Sequence, residues 1–103
     1  MSSFVPRSAL GHCLFERRRL VLAAAEARRA SNVRVFGSVA RGDDREDSDV
    51  DLLVDLDPST TIMDLLALGC DLEEVLGVKV EVGTPASLRE FLRDEVLAEA
   101  VSL

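Results

Sequence analysis

The sequence predicts an α/β (α+β) domain: a small mixed β-sheet with helices packed mainly on one face. Three observations carry this. Short β-branched runs alternate with longer helical patterns in the order helix, strand, strand, helix, strand, helix. The connection between the first two strands is short and turn-like, which permits antiparallel pairing. The segment between the second and third strands is long enough for a crossover helix, which returns the chain to a parallel neighbour.

Residues 1–8 read as a flexible N-terminal arm, and residues 9–103 as a single domain; 103 residues with 48% apolar content can bury one core. Residues 10–29 carry a helical pattern with Leu14, Val21 and Ala25 on one stripe and Arg17, Arg18, Arg28 and Arg29 mostly elsewhere. Ser31-Asn32 ends that helix, and residues 33–36 form a short strand. Gly37-Ser38 is a tight turn, and residues 50–56 form a longer strand. Asp57-Pro58-Ser59-Thr60-Thr61 is a turn leading into a helix over residues 62–76, stopped by Gly77. Residues 78–82 make the third strand. Thr84 then caps a last helix with Pro85 at its first position, running to about residue 101 with Leu88, Phe91, Leu92 and Leu97 on one side.

Composition removes several function classes. The net charge of −7 argues against a sequence-reading DNA binder, because phosphate neutralisation supplies much of such affinity. No apolar run approaches a membrane span, and Arg7 and Arg17–Arg19 are not followed by a signal-peptide core, so a cytoplasmic protein is expected. Cys13 and Cys70 lack CxxC spacing and read as buried or idle thiols. His12 is the only histidine, which leaves no Ser-His-Asp, Cys-His or multi-histidine zinc chemistry.

Strand parity sharpens the picture. Val50, Leu52 and Val54 share one face of the second strand, and Asp49, Asp51, Leu53 and Asp55 the other. In the third strand Val78, Val80 and Val82 oppose Lys79 and Glu81. Helices should cover the apolar faces, leaving Asp49, Asp51 and Glu81 to converge on an open side if the two strands are neighbours. Two aspartates at i and i+2 project together with Cα atoms about 6–7 Å apart. Such hard oxygen donors suit Mg²⁺, which takes one or two carboxylates together with substrate phosphates. Two metals about 3.5–4 Å apart can stabilise both the attacking and the leaving oxygen of a displacement at phosphorus. Gly37 and Ser38 offer backbone N–H groups and a hydroxyl to a triphosphate, and Arg41 adds charge-assisted hydrogen bonds.

Taken singly, each feature has a plainer reading. Asp-x-Asp is common at strand edges, Gly-Ser is a turn and Arg41 a surface charge. Asp43, Asp44, Glu46 and Asp47 read as a solvated loop, Asp55 and Asp57 as a solvated strand end, Arg17–Arg19 as an exposed helix face, and Lys79 as solvated. Phe36 and Phe91 read as core.

The combination is specific. Gly37-Ser38, ten intervening residues and Asp49-x-Asp51 form GS-x10-DxD in a strand-turn-strand setting. Through Gly37-Ser38-Val39-Ala40-Arg41-Gly42 and Ser48-Asp49-Val50-Asp51-Leu52-Leu53-Val54 the chain resembles the DNA polymerase β-like nucleotidyltransferases, and within them the minimal nucleotidyltransferases, or MNT-domain proteins. The segment Lys79-Val80-Glu81-Val82-Gly83-Thr84-Pro85 is similar to the family's third-acid strand, with Glu81 where the family usually has aspartate. The resemblance implies the nucleotidyltransferase fold, with Gly37, Ser38, Arg41 and Ser48 as nucleotide-binding residues. It implies that Asp49, Asp51 and Glu81 are catalytic and hold two Mg²⁺ ions, with ATP as substrate. The extra methylene of Glu81 moves its carboxylate by about 1–1.5 Å, a displacement able to slow the reaction about a hundredfold. It further implies an antitoxin that transfers AMP to a tyrosine of a HEPN-type RNase toxin, since so short a chain has no room for an acceptor domain. The alternatives are a binding module that neutralises by contact alone, and a transferase acting on a different partner or on RNA.

Overall fold

A computed structural model describes residues 3–103. Ser8 starts α1 (Ala9–Glu16), its Oγ accepting from the Gly11 N–H at 3.0 Å. The helix expected over residues 10–29 is broken at Arg17, whose ψ of 13° leaves the helical range, and resumes as α2 (Arg18–Ala27). The apolar stripe runs across the break, with Leu14, Val21 and Ala25 all buried. Strand β1 (Ala30–Phe36) begins earlier than expected, and its pairing shifts between Ser31 and Arg34, where Asn32 adopts φ 51°.

A one-turn helix, α3 (Gly37–Arg41), replaces the expected tight turn. Strand β2 (Val50–Leu56) and helix α4 (Ile62–Leu76) have the expected limits. A capping box between Thr61 and Asp64 opens α4, and Gly77 closes it at φ 70°. Leu65, Leu68, Leu72 and Leu76 are its buried stripe. Strand β3 (Val80–Gly83) starts two residues later than expected. Thr84 does cap the next segment, but only a 3₁₀ turn (Pro85–Ser87) follows; α5 (Glu90–Glu99) starts beyond it. A strand absent from the sequence reading, β4 (Val101–Ser102), ends the order.

The sheet order is β3-β2-β1-β4. β1 runs antiparallel to both β2 and β4, and β2 runs parallel to β3, as the connection lengths require. Val35, Val50, Leu52, Val54 and Val80 pack with Leu14, Val21, Leu68 and Leu72 in one core, so the main helices lie on one face.

Residues 1 and 2 of the expected N-terminal arm lie outside the described residues; in the rest of the arm Phe4 is seated against the fold, and two further expectations about the periphery are corrected. Phe4 is 3% exposed, and its N–H donates to the Ser102 carbonyl at 2.9 Å. Burial of this ring offsets part of the cost of ordering the segment. Phe91, expected in the core, is 72% exposed, and α5 has no buried residue. Leu53, on the acidic side of β2, is fully buried, so that side is open only at its end. Among the described residues no helix is long and apolar enough to cross a membrane.

Candidate functional site

The register aligns Phe36 of β1, Asp51 of β2 and Glu81 of β3 in one row across the sheet. Cross-strand partners share a face, so these three side chains stand together at the end of the open side. Asp49 lies just ahead of β2, two residues before Asp51, and is near enough to act on it electrostatically. The expected convergence of Asp49, Asp51 and Glu81 is therefore present.

Gly37 follows Phe36 directly and has φ +75°. A Cβ there would overlap Asp51 Oδ2, so the close approach of backbone to carboxylate needs glycine twice over. Gly42 ends α3 at φ +82°, its missing side chain leaving room for that of Arg7. Arg41 donates to Asp43 at 3.1 Å and to Glu99 at 2.8 Å. The Gly37 N–H donates to the other oxygen of Glu99 at 2.5 Å. Glu99 was not among the expected site residues. It lies 62 residues from Gly37, and no local pattern marks it.

Asp51 carries the electrostatic signature of the site. Burial pushes its carboxyl up to about 6 from 3.8, and Glu81 and Asp49 add to the rise, while Arg41 opposes it. Glu81 reaches within hydrogen-bonding range of Asp51. Arg41 is held still more firmly in its charged form, chiefly by Glu99 and then Asp43.

Other expected residues have hydrogen bonds of their own. Ser48 Oγ accepts from the Arg45 N–H at 2.7 Å and closes a loop turn. The Ser38 carbonyl accepts from Gly42 and Asp43, ending α3. Asp55 pairs with Arg34 at 2.7 Å, and Asp57 accepts from Ser59, which holds its carboxyl below the usual range. Lys79 is exposed, as expected. Cys13 and Cys70 are both free; Cys70 is exposed rather than buried.

Two concavities flank the row. One of about 400 Å³ is lined by Phe36, Gly37, Arg41, Glu95, Val96 and Glu99. The other, about 480 Å³ and mostly apolar, lies between α4 and β3 with Glu81 and Phe36 in its wall. Phe36 thus separates a charged cleft from an apolar groove and is half-buried rather than part of the expected core.

The donor set is compatible with a divalent ion. Its oxygens are hard ligands, and burial, followed by the charges of Glu81 and Asp49, makes ionised Asp51 costly in a way that a cation would relieve. Among the described residues no three His, Cys, Asp or Glu side chains are arranged to hold a metal by themselves. A metal on Asp49 and Asp51 would need further ligands, such as a substrate's phosphates.

The profile of the nucleotidyltransferase domain matches residues 18–103. The chain belongs to this family. A Methanocaldococcus jannaschii protein named as a candidate protein adenylyltransferase is 44% identical over 69 residues, 67% of this chain and 74% of its own length. The protein adenylyltransferase MntA of Thermococcus cleftensis is 40% identical over 67 residues, 65% of this chain and 68% of its own. Among solved structures, a candidate minimal nucleotidyltransferase superimposes with a TM-score of 0.81 at 46% identity, covering 89% of this chain and 94% of that one. A toxin-antitoxin complex crystallised with AMP-PNP shares the fold at a TM-score of 0.69 and 18% identity, over 80% of this chain and 68% of that one. The acidic row and the Gly37 turn of this nucleotidyltransferase domain both lie within the matched segment.

Proposed function

We propose that this protein is a Mg²⁺-dependent adenylyltransferase that moves AMP from ATP onto a hydroxyl of a partner protein, acting as the antitoxin of a toxin-antitoxin pair. The observation that carries the reading is the seat of Asp51: against Gly37, in register with Glu81 and near Asp49. The names of the two adenylyltransferase relatives and the description of the AMP-PNP complex support the nucleotide and the partner class.

The residues divide the work as follows. The Gly37 N–H and the Arg41 guanidinium bind the triphosphate and orient it. Asp49 and Asp51 hold the metal, which supplies charge neutralisation at the phosphates. Glu81 stands beside Asp51 as the group that takes the acceptor's proton. The acceptor has to be presented by the partner, because the described residues build no second acceptor-binding layer over the acidic row. A tyrosine of a HEPN-type RNase is the proposed acceptor, and the cytoplasm the proposed compartment.

Intact-mass spectrometry of a HEPN-type partner, after incubation with this protein, ATP and Mg²⁺, tests the reading. Mass gains in AMP units that vanish in Asp49→Ala, Asp51→Ala protein are expected. A stable complex with no mass gain would instead establish neutralisation by contact and overturn the enzymatic assignment.

A further inference from the structure

Glu99 ends α5 with its carboxylate spread across two donors: one oxygen accepts from the Gly37 N–H at 2.5 Å, the other from Arg41 Nη1 at 2.8 Å. A two-oxygen anion on a backbone amide and a guanidinium has the bonding pattern that two oxygens of a phosphate would make. These are the donors assigned above to the triphosphate, and the two anions cannot use them together. We propose that Glu99 is an internal anion seated in the phosphate cradle, and that a nucleoside triphosphate binds by displacing it; this rests on the nucleotide-binding role proposed above.

Three further observations favour displacement over a permanent brace. The charged cleft opens beside Glu99 and is lined by Gly37 and Arg41 on one side and Glu95, Val96 and Glu99 on the other, which gives an incoming anion a route to the donors. Arg41 has a second carboxylate partner in Asp43, so its guanidinium stays oriented when Glu99 leaves. Helix α5 has no buried residue, and its other side-chain ties run from Arg93 to the Pro85 and Leu88 carbonyls. The Glu99 side chain can swing away without disturbing core packing, while the backbone after it stays fixed by the pairing of β4 with β1.

The consequence is a built-in discount on nucleotide affinity. Each triphosphate that binds has to break two charge-assisted hydrogen bonds and pass the Glu95 and Glu99 charges. It also gives selectivity, since a ligand with one weak anionic group competes poorly against a carboxylate already in place. A brace and a competitor predict opposite signs. Removing a brace would leave Gly37 and Arg41 poorly placed and weaken binding, whereas removing a competitor strengthens it.

The experiment is calorimetric titration of the full chain with ATP plus Mg²⁺, and separately with inorganic tripolyphosphate, for wild type, Glu99→Gln and Glu99→Ala. Thermal melts without ligand identify which variants fold, and the isosteric Glu99→Gln carries the test if Glu99→Ala does not. A fall in Kd of about tenfold for both ligands is expected, with KM for ATP falling in parallel and kcat little changed. Equal or weaker binding by the folded variants, with ATP still bound by wild type, overturns the displacement proposal alone. Failure of every protein, wild type included, to bind ATP overturns the nucleotide reading beneath it and the proposal with it.

Discussion

Replacing Asp51 with asparagine is expected to stabilise the metal-free protein while abolishing its chemistry. In the fold this carboxyl titrates at about 6 instead of 3.8, because burial and then the charges of Glu81 and Asp49 disfavour ionisation. Its folded pKa lies above its unfolded one, so between those values the folded state binds more proton, and stability rises as pH falls. The penalty is fully present above about pH 6 and gone below about pH 4. Two pKa units correspond to a ceiling of about 3 kcal/mol, and partial solvent contact reduces this to about 1–2 kcal/mol. Asparagine keeps the shape and removes the charge. In thermal melts with a chelator at pH 7.5, Asp51→Asn should melt about 5–10 °C above wild type. The gap should narrow through pH 6 and close near pH 4. Equal or lower melting of the variant at pH 7.5 would refute the account of Asp51 as a carboxylate held at a cost.

Three other substitutions probe the support of the site. Gly37→Ala should destabilise by about 1–3 kcal/mol, since alanine is strained at positive φ and its Cβ overlaps Asp51, and should lower AMP transfer at least tenfold; denaturant midpoints and mass spectrometry read the two effects. Leu52→Ala, at a fully buried position between Asp51 and Leu53, should cost about 2–5 kcal/mol in urea unfolding. Phe91→Ser, on the exposed side of α5, should leave stability within about 0.5 kcal/mol in the same assay, whereas a core role for this ring would cost several times more.

What the sequence made legible follows the range of the interactions involved. β2 and α4 have the predicted limits because both are set locally, β2 by two-residue alternation and α4 by a capping box and a terminal glycine. The row of Phe36, Asp51 and Glu81 follows from parity once β2 and β3 are parallel neighbours, a relation that the crossover helix already implies. The break at Arg17 is not marked by the apolar pattern, which passes through it unchanged. The last helix misled because a proline after threonine marks a 3₁₀ turn as readily as an α-helix, and because Phe91, Leu92 and Leu97 of α5 stay exposed. Strand β4 is two residues long and exists through pairing with Arg34 and Val35. Glu99 escapes for the same reason: its meaning lies entirely in groups distant along the chain.

Asp51 and Glu81 illustrate why this chemistry is built on strands. Like charges brought together in a flexible loop would relax apart, as Asp43 does by turning to Arg41. Asp51 has no such freedom, because the residues on either side of it, Val50 and Leu52, are buried in the core on the opposite face. Every side chain anchored there fixes the direction of its neighbour on the acidic face, so the placement of Asp51 is as firm as the packing beneath it. Glu81 is held in the same way by Val80, one strand over, and its longer side chain spans the gap to Asp51. The repulsion among these groups is therefore retained by the fold instead of being relaxed away. A cation and a polyanionic substrate entering together would relieve it, which couples the occupancy of the site to the stability of the strands that form it.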